Sequence, residues 1–462
     1  MIYSLLRAIA GIALRWYYRR IDVEGLERLP RRAPVILAVN HPNALVDALV
    51  VAWSVPRRVI LTAKATLFQN PILAWFLARA GVVPLVRMSD VRSGAVRSTS
   101  DPARNERAFR RLGNVLRKGG AVLIFPEGIS HDEPSLAPLR TGAARIALQA
   151  REEAGVRELH IVPIGLTFER KEAPRSRVLV QVGEPIAIDP LPPASDESAV
   201  QALTAEIDAR LRAVTLNYTS ADDSSRSAAL ASLFVELFEE APPLGVARPL
   251  RAEVSLARRI DEARRLLAEC ADQALRARTD GLLRRLVELE RTLAGHGVAL
   301  GEVGISTSIR DGARFLLREG WIIAVAGPVA LWGYLNHWIP FHAARLVALR
   351  SVESASDPAM RTIVAGLAFV LGFYAAQAAV VGMSLGPLAA SLYLVSLPLA
   401  ADVNFLLRER LARALRRART YLLFRRRPRL QGRLLEALSM LRTDALEIDR
   451  LLRERDAARE TA

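Results

Sequence analysis

From Val23 to about Asn217, short apolar runs alternate with stretches of helical spacing. VILAV (35–39), VILTA (59–63), GVVPLV (81–86), AVLIF (121–125), HIVPIGLTF (160–168) and RVLVQVG (177–183) have the length and β-branched content of buried strands. Between them, 103–118 and 142–151 repeat apolar residues every three or four positions, as helices do. This alternation predicts an α/β domain over residues 21–218, a mixed sheet with flanking helices. Ahead of it, residues 1–20 place Leu5, Ile9, Ile12 and Trp16 on one helical face and Arg7, Arg15 and Arg19 on another. That pattern predicts an amphipathic helix lying in a membrane interface, the alternative being a first helix packed on its own domain.

The texture changes after the polar stretch TSADDSSRSA (219–228), which reads as a linker. Residues 229–310 form a helical region. Within it Leu256, Ile260, Ala263, Leu267 and Cys270 make one apolar stripe, and Leu282, Leu286, Leu289 and Leu293 make another. A break at Thr279-Asp280-Gly281 would make them an amphipathic hairpin. The C-terminal stretch repeats the spacing with Leu434, Leu438, Leu441, Ala445, Ile448 and Leu452, and the three stripes are expected to bury one another. Between hairpin and tail, 320–407 holds the transmembrane segments. Its uncharged stretch 362–401 is 40 residues long, against about 20 for one spanning helix. A turn at SLGP (384–387) predicts two spans, Thr362–Met383 and Leu388–Leu407, with Gly320–Ala344 re-entrant or interfacial. The alternative pair is 320–344 with 362–383.

Charge refines this picture. Lys and Arg outnumber Asp and Glu by 64 to 48 over 462 residues, a net charge of +16. The excess is concentrated: residues 408–433 hold eleven arginines and one acid directly after the apolar region. The segment 408–462 therefore reads as a basic juxtamembrane stretch followed by an amphipathic helix. Such a cluster points to an anionic membrane, and no motif points to nucleic acid. The positive-inside rule places the arginines on the cytoplasmic side of the cell (inner) membrane, and the α/β domain is expected to face the cytoplasm too. The lone Cys270 forms no intramolecular disulfide and falls on a packing stripe.

Candidate chemistry gathers where strands end, which is where open α/β sheets place ligands. The stretches are NHPNALVD (40–47), GVVPLVR (81–87), FPEGISHD (125–132) and VPIGLTFE (162–169). They supply a base with a carboxylate (His41, Asp47), two cations (Arg87 and Lys64) and a carboxylate beside a glycine turn (Glu127, Gly128). This set suits moving an acyl group onto the hydroxyl of a phosphate-bearing alcohol. His41 takes the proton, Asp47 holds the tautomer, and the cations grip the phosphate. Taken singly, each has a structural reading: a turn histidine, a surface arginine, a loop acid. His131-Asp132-Glu133 lacks the spaced partners of a metal site. The G-x-S-x-G at 382–386 sits in an apolar stretch and is discounted.

In order and spacing, these blocks resemble the phospholipid/glycerol acyltransferase family, which includes lysophosphatidate and glycerol-3-phosphate acyltransferases. The matching residues are His41…Asp47, Arg87, Phe125-Pro126-Glu127-Gly128-Ile129-Ser130 and Val162-Pro163, with PLRTGAARIAL (138–148) and GEPI (183–186) in support. One departure is the spacing: five residues separate His41 from Asp47, where most members have four. The extra residue fits in the Pro42-Asn43 turn, with Asn43 as N-cap. Such five-residue blocks resemble the fungal-type glycerol-3-phosphate/dihydroxyacetone-phosphate acyltransferases. The resemblance implies a membrane-bound enzyme that acylates glycerol-3-phosphate or a lysophospholipid from acyl-CoA or acyl-carrier protein. It implies His41 and Asp47 as catalytic residues, and Arg87, Lys64, Glu127, Gly128, Ser130 and Pro163 as substrate-binding ones. The transfer is expected to be direct, with no covalent acyl-enzyme, no cofactor and no metal. The alternatives are a lysophosphatidate or other lysophospholipid acceptor, and a membrane tether with a vestigial domain.

Overall fold

The computed structural model describes residues 2–69, 71–85, 102–189, 191, 196–239, 248–269, 272–350 and 358–460. The chain divides into two compact units, 1–221 with 344–367 and 222–343 with 368–462.

In the first unit, helix α1 (Ile2–Tyr17) leads into strand β1 (Arg20–Glu24). There follow β2 (Val35–Val39), α2 (Ala44–Ser54), β3 (Val59–Lys64), α3 (Pro71–Ala80) and β4 (Val83–Leu85). Next come α4 (Pro102–Arg117), β5 (Ala121–Ile124) and α5 (Gly142–Glu152). Strands β6 (His160–Phe168), β7 (Arg177–Val182) and β8 (Ile186–Ala187) precede α6 (Glu197–Val214). The strands form one mixed sheet in the order β1-β7-β6-β2-β5-β3-β4, with β8 pairing β6. Strands β6, β2, β5, β3 and β4 run parallel, while β7 is antiparallel to β6 and carries β1 parallel to itself.

The apolar runs lack a polar face because both faces of the sheet are covered. Val35, Leu37 and Val39 pack with Leu14 and Tyr18, and with Val46 and Val50 of α2. Ile36 and Ala38 point the other way, into Leu112 and Leu116 of α4, Ala147 and Leu148 of α5, and Leu203 of α6. The period of two along the strand decides which layer each residue joins. Gly165 of β6 marks the tightest approach, since a Cβ there would lie 1.9 Å from the Val214 carbonyl oxygen. Helix α1 packs through Gly11, Leu14 and Tyr17, and Leu5 and Ile12 remain exposed.

The rest of the chain is helical: α7 (Ala221–Phe238), α8 (Arg251–Glu269), α9 (Gln273–His296), α10 (Ile309–Arg350), α11 (Pro358–Leu385), α12 (Pro387–Arg426) and α13 (Pro428–Glu460), all in the second unit except Ala221 and the parts of α10 and α11 within 344–367. Two features differ from the sequence reading. Residues 221–228 are the first turns of α7 and not a linker; Asp222 and Asp223 suit the positive end of a helix. The break expected at 279–281 lies inside α9, which starts instead at Gln273. There the Asp272 carboxylate accepts the N–H groups of Ala274 (2.9 Å) and Leu275 (3.1 Å) and caps the helix. Residues 320–344 belong to one continuous helix, which runs through Pro328 and Pro340.

Helices α10, α11 and α12 are each long and apolar enough to cross a membrane. The stripes of α9 and α13 bury one another as expected: Leu282, Leu286, Leu289 and Leu293 share a core with Leu434, Leu438, Leu441, Ala445 and Ile448. The α8 residues Leu256, Ile260, Ala263 and Leu267 line a cavity of about 890 Å³ together with Leu282 of α9 and Ala445 and Ile448 of α13. Cys270 lies outside the described residues.

Candidate active site

Strand β2 ends at Val39, and Asn40 extends its ladder with a side chain. The Asn40 amide accepts the Leu166 N–H at 2.7 Å and donates to the Leu166 carbonyl at 3.1 Å. The backbone is thus free to turn away while the strands stay joined. Pro42 keeps the preceding residue, His41, out of helical geometry. Helix α2 begins at Ala44, whose φ of 48° is left-handed. That conformation costs an alanine about 1–2 kcal/mol, and such strain persists only where the surroundings hold it.

The turn delivers His41 onto the face of Phe125, with ring centroids 3.8 Å apart and planes 13° from parallel. His41 Nδ1 lies 2.9 Å from Asp47 Oδ2, and the same oxygen accepts the Asn43 N–H at 2.7 Å. An ionised Asp47 holds the proton on Nδ1 and leaves Nε2 as the basic nitrogen. Nε2 has no hydrogen-bond partner among the described residues, and the imidazole is 11% exposed. Asp47 is fully buried and its Oδ1 is unpartnered. Burial pushes the Asp47 carboxyl up from 3.8, against the downward pull of the His41 and Asn43 bonds.

Asn43 stands at the N-cap position of α2, but its side chain caps nothing. Its amide donates instead to Tyr18 Oη (3.1 Å) and to the Lys171 carbonyl (3.3 Å), which ties the turn to the end of α1 and to the β6–β7 connection. Capping comes from outside, where Ser130 Oγ accepts the Ala44 N–H at 3.0 Å.

Glu127, 2% exposed, spends both carboxylate oxygens on the protein. Oε1 accepts the His41 N–H at 2.8 Å; Oε2 accepts the Ala137 N–H at 2.9 Å and meets His131 Nε2. Gly128, at φ 75°, closes the turn by donating to the Phe125 carbonyl at 3.1 Å. The structure therefore gathers His41, Asp47, Glu127, Gly128 and Ser130 at one end of the parallel strands. Pro163 lies apart, buried within β6 opposite Ala38, its carbonyl accepting the Gly183 N–H at 2.8 Å. Lys64 ends β3, exposed and in register with Leu85. Arg87 lies outside the described residues.

Four residues of this cluster were not read from the sequence as part of it. Asn40 and Tyr18 buttress the turn, as above. Lys171 donates to the Pro42 carbonyl at 3.4 Å and pairs with Asp132. Burial lowers its ammonium pKa, with Glu172 and Asp47 working the other way. His131, dismissed as a metal ligand, bonds Glu127. Only His131 had a signal, its place four residues after Glu127.

Residues 20–167 match the acyltransferase family. Glycerol-3-phosphate O-acyltransferase 2 of Saccharomyces cerevisiae is 40% identical over 85 residues, 18% of this chain and 11% of the yeast protein. A chloroplastic 1-acyl-sn-glycerol-3-phosphate acyltransferase of Brassica napus is 30% identical over 139 residues, 30% of this chain and 36% of that one. The chain thus spans about a third or less of the length of these two relatives. Among solved structures, the 1-acyl-sn-glycerophosphate (LPA) acyltransferase of Thermotoga maritima matches 45% of this chain and 78% of its own, at 19% identity and a TM-score of 0.33. The ordered motif blocks fall within residues 20–167, the stretch that matches the acyltransferase family.

Proposed function

We propose that the chain transfers a fatty acyl group from acyl-CoA or acyl-carrier protein to a hydroxyl of glycerol-3-phosphate or a lysophospholipid. The observation that carries this reading is the His41–Asp47 pair at 2.9 Å, with Nε2 lacking a described partner at the end of the parallel strands. His41 Nε2 takes the acceptor hydroxyl proton as the oxygen attacks the thioester carbonyl. The tetrahedral adduct then expels the thiolate, breaking the C–S bond, and the imidazolium returns the proton to sulfur. Asp47 keeps Nε2 basic and offsets the imidazolium charge. Lys64 and Arg87, after neighbouring strands, grip the acceptor phosphate. A vestigial tether has no need of this base–carboxylate geometry. The test is purified full-length protein given labelled acyl-CoA or acyl-carrier protein with a panel of acceptors. Acylation of glycerol-3-phosphate or a lysophospholipid supports the reading; transfer to none of them overturns it.

The enzyme works at a membrane. The segments flanking the apolar region pack together in the second unit. Arg410 bonds both oxygens of Glu319 (2.6 and 2.8 Å), Thr420 Oγ1 lies 2.7 Å from Glu302, and Tyr421 donates to the Ser308 carbonyl at 3.2 Å. The core shared by α9 and α13 supports a chain that enters and leaves the bilayer on one side. Two of the three apolar helices therefore cross, and the arginines after 407 lie on the cytoplasmic side with the acyltransferase domain. Exposed Leu5 and Ile12 on α1 suit contact with the lipid surface.

A further inference from the structure

Three consecutive side chains follow the Phe-Pro-Glu-Gly turn, and each leads to the backbone that carries His41. Ser130 Oγ accepts the N–H of Ala44 at 3.0 Å. His131 Nε2 bonds one oxygen of Glu127, whose other oxygen accepts the N–H of His41 at 2.8 Å. Asp132 pairs with Lys171, whose ammonium donates to the carbonyl of Pro42 at 3.4 Å. One loop thus grips residues 41, 42 and 44, directly once and through a relay residue twice.

We propose that His131, Asp132 and Lys171 are positioning residues for His41, a role that rests on the acyl-transfer reading above. A surface ion pair beside a loop histidine is a common and inconsequential arrangement. Two observations set this one apart. Glu127 is buried and receives His131 together with two backbone N–H groups, so the imidazole completes a fixed set of donors around it. The turn that the set holds contains Ala44 at φ 48°, a conformation that does not persist without outside support. The clamp acts on where the His41 ring sits. None of its side chains bonds Asp47 or the His41 imidazole, so the Nδ1–Asp47 contact that selects the basic nitrogen is not part of the clamp.

That distinction makes the proposal testable. The full-length chain in detergent is assayed as His131→Ala, Lys171→Met and the conservative His131→Gln and Lys171→Arg, beside wild type and His41→Ala. Each disruptive variant is expected to lower kcat about ten- to a hundredfold, the cost of misplacing a reacting group by about an ångström, with both KM values little changed. His131→Gln and Lys171→Arg keep a donor and are expected to recover most of that loss. Amide exchange in the peptide covering 40–47 should quicken in the disruptive variants, while β6 exchanges as in wild type. A KM increase with kcat unchanged would make these residues substrate contacts, and unchanged kcat with unchanged exchange would end the proposal. An inactive wild type sinks the acyl-transfer reading instead, and the exchange measurement still decides whether the clamp exists.

Discussion

The Glu127 carboxylate accepts the backbone N–H of His41 at 2.8 Å, joining residues 86 apart in sequence. Two motif blocks that look independent along the chain are one hydrogen-bonded object. The Phe-Pro-Glu-Gly turn holds the His41 turn from behind, and Glu127 points its oxygens at the protein. Glu127→Gln places an amide NH₂ where a donor already points. It should cost about 1–3 kcal/mol of stability and lower turnover together, read by thermal unfolding and initial rates.

Asp47 separates activity from stability. Asp47→Asn loses the charge that fixes the His41 tautomer, and turnover should fall about 10³- to 10⁴-fold. Burial disfavours that charge and Oδ1 has no partner, so the variant should melt at or above the wild-type temperature. Acid has the same split. The folded Asp47 carboxyl binds its proton more tightly than the unfolded one at 3.8, so between the two values the folded state holds more protons. Stability from this group is lost as pH rises through that window and regained as pH falls. Acidification should therefore stop turnover with no loss of stability from Asp47 itself, which parallel pH series of rate and circular dichroism on wild type and Asp47→Asn would show.

Gly165 has no room for a side chain, because its Cβ would meet the Val214 carbonyl oxygen at 1.9 Å. Gly165→Ala should destabilise the acyltransferase domain by about 1–3 kcal/mol, measured by denaturant titration. Turnover per folded molecule should stay near wild type.

Leu286 is fully buried and shares a core with Leu438. Leu286→Ala should cost about 2–5 kcal/mol of the packing between α9 and α13. Limited proteolysis should then release the tail after 427 faster than in wild type, with cuts in the acyltransferase domain unchanged.

The parity of crossings predicts a labelling pattern. With Cys270 replaced by Ala, a single cysteine near Ala462 should resist an impermeant maleimide in intact cells and react after lysis. Labelling before lysis would require an odd number of crossings.

Much of the fold was legible in the sequence because its strands are buried on both faces. VILAV and HIVPIGLTF begin and end where β2 and β6 do. Strand β1 was missed: RIDVE alternates charged and apolar residues at the sheet edge, paired only with β7. Asp272 was the better helix start than the glycine-containing Thr279-Asp280-Gly281, since its carboxylate meets two orphan N–H groups. His41, Asp47, Glu127 and Ser130 could be read from motif order. Lys171 could not, because its link to Pro42 is tertiary and the β6–β7 connection carries no pattern. Asn43 shows the limit of local rules: a good N-cap residue at the N-cap position spends its side chain on Tyr18 and Lys171.

In the proposed mechanism His41 is the base. That role is tested most directly by the rate of acyl transfer from labelled acyl-CoA or acyl-carrier protein to the best acceptor, wild type against His41→Ala, both purified in detergent and matched for folding. Loss of a positioned general base costs about 10²- to 10⁴-fold, and the account predicts a fall in that range with circular dichroism and melting little changed. Near-wild-type turnover by His41→Ala would contradict it.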